Sequence, residues 1–372
     1  MSEWLDEYFG ELPDPRVERT RQHKLIDIIG IALCAVICGA DNWVEVAEFG
    51  QIREGWLRQF LELPNGIPSH DTFGRVFARL DADAFRQRFI QWVRDVHTLT
   101  KGQVVAIDGK TVRRSGDKAA GTAAIHLVSA WASANQLVLG QVKVEGKSNE
   151  ITAIPELLNM LVLRGCVVTL DAMGCQKKIV QTIRERQADY VLRVKENQGQ
   201  LYQDIAEWFT YAEQVRFQDM DHSHKQTVNK DHGRVEVRDC WVVSDPVAFE
   251  YLRHYGGWSD LHSIAKVVRQ RRQGGTTSIE IAYYISSLGN DAELVLACAR
   301  AHWAIENSLH WVLDVTFRED DNRYRTGDGA QNMALLRKLA INLLRQDKSV
   351  KIGAQGKRLR AALDPNYLLH LL

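Results

Sequence analysis

The sequence lacks a net charge, a C-x-x-C pair and a hydrophobic run of membrane-spanning length. Its 47 Lys and Arg balance 47 Asp and Glu, and its six cysteines are dispersed. The longest uncharged apolar run, residues 28–40, is shorter than the ~20 residues that a membrane helix needs. The first residues are acidic, whereas a secretory signal starts basic and then becomes apolar. We therefore expect a cytoplasmic protein with reduced thiols and no membrane partner.

Two common catalytic signatures are also absent. The sequence contains no G-x-x-x-x-G-K-[ST] phosphate loop and no G-x-S-x-G nucleophile turn, so neither a nucleotide-driven motor nor a typical serine hydrolase is indicated. The composition, 45% hydrophobic and 25% charged, is typical of soluble globular proteins. A chain of 372 residues is long enough for more than one folding unit.

Residues 1–100 are predicted to form a helical N-terminal domain. Apolar residues recur there at helical spacing, as in Phe73, Val76, Phe77 and Leu80. The polar residues 69–72 offer helix-capping groups, so a helix is expected to begin there after a short loop. Two short helices with a tight joint are compatible with a DNA-binding helix-turn-helix and equally with an ordinary helical bundle.

From residue 101 the pattern changes to short β-rich runs and then to alternating strands and helices, which gives the order βββαβαβ. Strands are predicted at 103–108, 124–132, 136–144, 166–171 and 189–194, and helices at 150–163 and 175–187. Because parallel neighbours need crossover connections, this order predicts a mixed sheet with helices on its faces. It is compatible with a ribonuclease H-like core.

The remaining sequence divides the predicted core. Residues 197–288 break the alternation and are interpreted as a β-rich insertion, and helical patterns return at 291–315 and 330–346. The fold class is therefore mixed α/β, with a ribonuclease H-like core over 101–196 and 289–346. Residues 347–372 are interpreted as a basic C-terminal tail.

Three acidic residues are the candidate site. Asp108 and Asp171 each end an apolar strand, where ligand sites form in sheets of this kind. Two carboxylates that converge in a cleft repel each other, and a divalent cation usually resolves the repulsion. Glu306, flanked by two tryptophans in a helical stretch, is the candidate third acid. Taken singly, each has a simpler explanation: Asp-Gly is a common turn pair, and a helical glutamate is usually a surface residue.

Several linked motifs carry a family resemblance. They are AIDGKT at 106–111 with RRS at 113–115, TLDAMGCQ at 169–176, DYVL at 189–192, KENQ at 195–198, HWAIEN at 302–307 with LDV at 313–315, and LPDPR at 12–16. Over nearly its whole length the chain resembles the H-repeat-associated transposases of bacterial insertion sequences.

The resemblance implies a DDE-type transposase, in which Asp108, Asp171 and Glu306 are the catalytic acids and hold two Mg²⁺ ions, with Mn²⁺ as a substitute. It also implies DNA as the partner, both the terminal inverted repeats of the element and the target, and a homodimer on DNA. Related transposases carry Tyr, Arg and Lys near the glutamate, where this chain has Ala299, His302 and Leu313. Arg300, Trp303 and His310 are the candidates to replace those DNA contacts.

Net neutrality weighs against DNA binding, which needs Lys and Arg, but basic residues are concentrated locally. The candidate DNA contacts beside the acids are Lys110, Arg113, Arg114, Lys177 and Lys178, and Arg269, Arg271 and Arg272 lie in the insertion. Residues 331–372 add eight Lys or Arg against two Asp. Trp208, Trp241 and Trp258 would either stack on an unpaired base or pack in the core.

Two rival functions stay open. One is a catalytically silent DNA-binding relic that keeps its helical domain and has lost transposition. The other is a metal-dependent hydrolase, because His302, Glu306, His310 and Asp314 recur every four residues and would share one helix face. Metal preference separates the hydrolase from the transposase, since imidazoles favour zinc and carboxylates favour magnesium.

Overall fold

The computed structural model describes residues 2–117, 119–145, 149–231, 233–245, 249–254 and 256–372. The N-terminal part is helical, as predicted. Its helices are α1 (Ser2–Phe9), α2 (Leu25–Cys38), α3 (Trp43–Leu57), α4 (His70–Arg79) and α5 (Ala82–Val96). Helix α2 is apolar on all sides because it is buried on nearly all sides. Ser69 caps α4 through the Thr72 backbone N–H, as the sequence indicated.

The predicted order βββαβαβ is confirmed. It consists of β1 (Val104–Thr111), β2 (His126–Ala132), β3 (Leu137–Lys143), α6 (Glu150–Met160), β4 (Val167–Leu170), α7 (Lys177–Glu185) and β5 (Asp189–Val194). These strands lie in the spatial order β3-β2-β1-β4-β5, with β1, β4 and β5 mutually parallel and β1, β2 and β3 antiparallel. This is the mixed α/β, ribonuclease H-like arrangement that the sequence predicted.

The insertion differs from its prediction in two ways. It contains a long helix, α8 (Gly199–Gln214), and four strands, β6 (His222–Asp231), β7 (Arg234–Val243), β8 (Ser263–Gln273) and β9 (Thr276–Ser286), with the short α9 (Glu250–His254) between β7 and β8. Helix α8 was missed because 197–288 was interpreted by its β-rich runs alone. Strand β6, which begins at His222, was not predicted because its residues are mostly polar.

The inserted strands extend the core sheet. Strand β9 pairs antiparallel with β5, and the described strands form one nine-stranded sheet that ends β9-β8-β7-β6. Strand β6 has few apolar residues because it is the edge strand and pairs only with β7. Trp258 is buried, Trp208 packs on Phe249, and Trp241 stacks on His224, so these three tryptophans pack within the insertion.

The C-terminal residues fold onto the molecule rather than forming a basic tail. After α10 (Ala292–Ile305) come α11 (Gly329–Gln346), α12 (Ala354–Leu363) and α13 (Pro365–Leu371). Four of the basic residues counted in this segment are buried, namely Arg337, Lys338, Lys357 and Arg358. Lys357, for example, donates to the carbonyls of Leu344 and Asp347. Much of the local positive charge is therefore used inside the fold and is not exposed to DNA.

Among the described helices, none is by itself long and apolar enough to cross a membrane. Helices α2 and α3 meet the length and composition criteria only as a pair, and that pair is bent by 99°. All six cysteines are free, as expected.

Candidate active site

The parallel pairing of β1 and β4 brings the first two acids together. Asp171 directly follows the end of β4, whereas Asp108 was expected to end its strand and instead lies within β1, which continues to Thr111 through its pairing with β2. Strands β1 and β4 are parallel neighbours in which Ile107 lies opposite Leu170, so Asp108 and Asp171 follow at equivalent positions. Asp171 also caps a short 3₁₀ turn, because its Oδ1 accepts the backbone N–H groups of Met173 and Gly174. This cap fixes the orientation of the Asp171 carboxylate.

Glu306 lies where the geometry of its helix changes. Helix α10 ends at Ile305, and the chain continues as two π-helical turns, Glu306–His310 and Val312–Thr316. Single π-turns within helices are rare and are frequent at functional sites. The helix packs on β1 and β4, and the Nδ1 of His302 lies 3.2 Å from the Thr169 hydroxyl, one residue before the end of β4.

The three acids line one cleft of about 150 Å³, here called the acid cleft. Burial, together with the nearby carboxylates of Asp171, Glu150 and Glu306, raises the pKa of Asp108 to about 7. A cation among these oxygens would relieve both the burial penalty and the mutual repulsion. The donors are hard oxygens, which suits Mg²⁺ or Mn²⁺.

The side chains of the three acids do not converge into a complete set of metal ligands. Among the described residues, no group of three or more His, Cys, Asp or Glu is placed to hold a metal ion. The same finding bears on the hydrolase alternative, because His302 contacts Thr169, His310 contacts Asp108, and Asp314 binds Lys110 at 2.7 Å. These side chains line different parts of β1 and β4 and do not converge on one point.

Both histidines beside the cleft are neutral. Burial lowers the pKa of His302 to about 4 and that of His310 to about 4. The Nδ1 of His310 lies 3.5 Å from the Oδ2 of Asp108. Sequence analysis placed His310 among the DNA contacts, whereas in the structure it is a neighbour of the first acid.

A fourth carboxylate, Glu150, was not singled out by the sequence. Its Oε1 lies 2.6 Å from the Nε2 of His126, whose Nδ1 lies 2.8 Å from the Thr111 hydroxyl. Gly109 follows Asp108 and packs so closely that a Cβ at this position would overlap the Glu150 carboxylate and the His126 ring. A side chain at this position would displace the Glu150 carboxylate and the His126 ring, so glycine permits this close approach. An acid in the first turn of a helix, as Glu150 is in α6, gives no such signal in sequence.

The KENQ motif at 195–198 stabilises the turn that follows Asp171. The Asn197 side chain donates to the Ala172 carbonyl, and the Gln198 side chain donates to that of Cys175. Both bonds hold the turn that Asp171 begins. Arg193 and Lys195, also in or beside β5, line the acid cleft and bring positive charge to it. Neither basic residue was predicted to lie at the site.

Lys110 does not have the role expected of it. Its Nζ lies 2.7 Å from Asp314, 3.0 Å from Glu319 and 3.2 Å from Asp320. Burial disfavours its charge, but these carboxylates raise its pKa above the usual value. With three acidic partners and little exposure, Lys110 is an internal counter-ion. Asp314 and Glu319 are distant in sequence, which is why the motif alone suggested a DNA contact.

The other candidate contacts are at the surface. Arg113 and Arg114 are exposed beside Asp320 and Asp321, and Lys177 and Lys178 are exposed at the start of α7. Arg300 and Trp303 are exposed on α10, on a face that adjoins Glu306. These six residues are free to meet a ligand from solvent.

Comparisons with known proteins identify the family of the chain. Residues 99–343 match the model of the transposase DDE domain, and residues 6–93 match one described as DDE_Tnp_1-associated. YncI of Escherichia coli O157:H7 is 43% identical over 99% of this chain and 94% of its own length. The H repeat-associated YhhI of E. coli K12 is 41% identical over 99% and 97%. Both relatives carry the word transposase in their names.

The chain belongs to the DDE transposase family. Members of this family use divalent metal ions. A piggyBac transposase in a synaptic complex with hairpin DNA covers 100% of this chain and 76% of its own at 13% identity, with a TM-score of 0.45.

Proposed function

We propose that the protein catalyses metal-dependent DNA cleavage and strand transfer of an insertion-sequence element, with Asp108, Asp171 and Glu306 as its catalytic acids. The observation that carries the proposal is that these carboxylates come from β1, the end of β4 and the end of α10, and line one cleft. Burial, together with the neighbouring carboxylates, raises the pKa of Asp108 to about 7, and a bound cation would relieve both effects.

Asp108, Asp171 and Glu306 would hold two Mg²⁺ ions. When bound, such ions activate the attacking oxygen and stabilise the leaving one. The protein supplies no covalent nucleophile. Water attacks the phosphodiester at the end of the element and displaces a 3′-hydroxyl. That hydroxyl then attacks a phosphodiester of target DNA in the same cleft, forms a new bond to its 5′-phosphate and displaces the 3′-hydroxyl of the target strand. Neutral His310 orients Asp108, and Arg193 and Lys195 offset the charge of the phosphate.

The DNA contacts that we propose are the exposed ones, Arg113, Arg114, Lys177, Lys178, Arg300 and Trp303. We assign binding of the terminal inverted repeats to the helical residues 1–100 and the chemistry to 101–196 and 289–346. Since both ends of an element must be held together, we propose a homodimer on DNA. A monomer in complexes that contain paired ends would contradict this.

The test is cleavage of a labelled duplex that carries the element's own terminal repeat, with Mg²⁺, Mn²⁺ or chelator. The wild type is compared with Asp108→Asn, Asp171→Asn and Glu306→Gln, and Glu293→Gln on the exposed start of α10 is the matched control. We expect metal-dependent nicking at the end of the element, losses of at least ~10³-fold in the three variants, and no loss in the control.

Two outcomes would overturn the proposal. Specific binding of the repeat without cleavage would favour the silent relic. Activity that requires zinc and survives Asp108→Asn would favour the hydrolase.

A further inference from the structure

A second cleft, of about 490 Å³, opens beside the acid cleft. Five arginines line it, and we name it the arginine groove after Arg234, Arg238, Arg269, Arg271 and Arg300. Three glutamates, Glu236, Glu280 and Glu306, also line it, so the charge is positive even though the whole chain is neutral. The groove and the acid cleft share Tyr284, Ala299, Trp303 and Glu306, so they form one continuous surface.

The groove lies on one face of the inserted strands. Near α10 this face is apolar, with Cys240 and Val242 on β7 and Val267 on β8 packed against the helix. Farther along β7 and β8, the alternate residues that point to this face are charged as far as Arg234 and Arg271. Arg238 of β7 and Arg269 of β8 lie directly opposite each other. The face therefore changes from core to polar surface at the point where it passes Trp303 and Glu306.

A cross-strand pair of arginines is unfavourable unless something compensates for it. Buried Glu236 does so in part, at 2.7 Å from Arg238 and 3.7 Å from Arg269, and Glu280 binds both Arg269 and Arg193. Burial, with Arg300 and Arg269 nearby, lowers the pKa of Arg238 despite Glu236. Positive charge in excess of these glutamates remains in the groove, and each guanidinium has five N–H donors to offer.

Trp303 gives the groove a flat apolar wall. The Arg269 guanidinium lies 4.4 Å from the centre of the Trp303 ring, which holds the ring in place from one side. An exposed indole next to arginines suits a nucleotide, whose base stacks on an aromatic ring while its phosphate meets guanidinium groups. A groove of this volume is too small for a duplex and is large enough for one or two nucleotides of a single strand.

From these observations we infer that the arginine groove binds one strand of DNA where it leaves the acid cleft, with phosphates on the arginines of β7 and β8. The inference rests on the proposed function for the presence of DNA in the acid cleft. Arg234 and Arg238 of β7 are brought to the site only by the sheet, because they are far from Glu306 in sequence.

The test measures binding of a fluorescein-labelled oligodeoxythymidylate of about 20 nucleotides in chelator, so that no cleavage is needed. The variant is Arg234→Gln/Arg271→Gln, which spares the close pairs Arg238–Glu236 and Arg269–Glu280. The matched control is Lys230→Gln/Arg272→Gln, which removes the same charge from the opposite face of the same insertion. Thermal unfolding followed by circular dichroism checks that both variants are folded.

We expect the groove variant to bind about tenfold more weakly and the control to bind like the wild type. The slope of log K against log salt should fall by about 1.4, because each phosphate contact with a single strand contributes about 0.7. Equal weakening in both variants, or none in the groove variant, would overturn the inference.

Photo-cross-linking with 5-iodouracil in the oligonucleotide gives a readout that does not depend on a variant. A cross-linked peptide containing Trp303 supports the groove, and cross-links confined to other peptides overturn it. Failure of the proposed function is distinguishable: wild type that binds through the groove but never cleaves its own terminal repeat defeats the cleavage proposal and leaves the groove standing.

Discussion

At the scale of single residues, the environment of Asp108 depends on side chains that do not bind metal themselves. Glu150 and His126 pack against Gly109, immediately after the first acid, and Glu150 adds to the negative charge that Asp108 meets. Groups behind a metal ligand commonly change affinity or activity when they are altered. Glu150 and His126 are therefore placed to orient β1 at Asp108.

We expect Glu150→Gln to lower Mg²⁺-dependent end cleavage by about 10-fold or more, since such outer groups typically contribute 10–100-fold. The measurement is the cleavage rate across a Mg²⁺ titration, because a positioning residue shifts the metal requirement as well as the rate. Glu156→Gln, on the same helix and pointing to Arg86, is the control. Equal rates and equal metal dependence in both variants would rule out this role for Glu150.

Lys110 allows a test of its reassignment from DNA contact to internal counter-ion. Lys110→Met leaves Asp314, Glu319 and Asp320 without their common cation, and removing one partner from a buried ion pair destabilises by roughly 3–5 kcal/mol. Thermal unfolding should show the loss. Arg113→Gln, on the exposed side of the same segment, should leave stability unchanged and reduce the salt dependence of DNA binding, and the reverse pattern would restore Lys110 as a DNA contact.

At the scale of elements, the C-terminal helices are joined by one carboxylate. Asp347, at the end of α11, accepts from the Tyr367 hydroxyl of α13 at 2.6 Å and lies 3.3 Å from the Lys357 Nζ of α12. Although burial opposes the charge, hydrogen bonds from Ser349, Tyr367 and Lys357 lower the pKa of Asp347 below its usual value. This carboxylate therefore links the three C-terminal helices and offsets part of their positive charge.

A lowered pKa in the folded state stabilises the protein above the unfolded pKa of about 3.9, and the stabilisation is lost as the pH falls below that value. We expect Asp347→Asn to destabilise by about 1–3 kcal/mol at pH 7. The difference from wild type should shrink as the pH falls below about 4. Urea unfolding between pH 3 and 7 measures this, with exposed Asp71→Asn as the control. A difference that does not vary with pH would contradict the assignment.

At the scale of the whole molecule, the N-terminal helices and the sheet share one core helix. Asn332 of α11 is fully buried and donates to the carbonyls of Phe77 and Leu80 where α4 meets α5. Farther along α11, the Asn342 side chain bonds both the N–H and the carbonyl of Val138 on β3. Helix α11 thus connects the N-terminal helices to the edge of the catalytic sheet.

This connection predicts that both parts unfold together. Asn332→Ala leaves two buried carbonyls without these donors, and we expect a cost of about 1–3 kcal/mol for each. Circular dichroism, which is dominated by helix, and tryptophan fluorescence should shift by the same amount on thermal unfolding. Asn366→Ala on α13 is the control. Separate transitions would show that the N-terminal helices form an independent unit.

Much of the fold is predictable because it is local. The strands and helices from β1 to β5 follow from apolar periodicity. Their order indicates which strands are neighbours, so the proximity of Asp108 and Asp171 could be predicted. Helix α8 was missed because the residues that follow it are rich in strand-forming residues. Strand β6 was missed because a polar edge strand does not show the alternation of apolar and polar residues by which strands are predicted.

The sequence by itself determined the mixed α/β class and the family, and it predicted the three acids, because short motifs and alternating elements carry that information within a few residues. Only the tertiary structure decided that Lys110 faces carboxylates, that Glu150 lies behind Asp108, and that the arginines of β7 and β8 reach Glu306. Each of these depends on residues far apart in the chain, and charge and burial at such positions are set by which elements pack together.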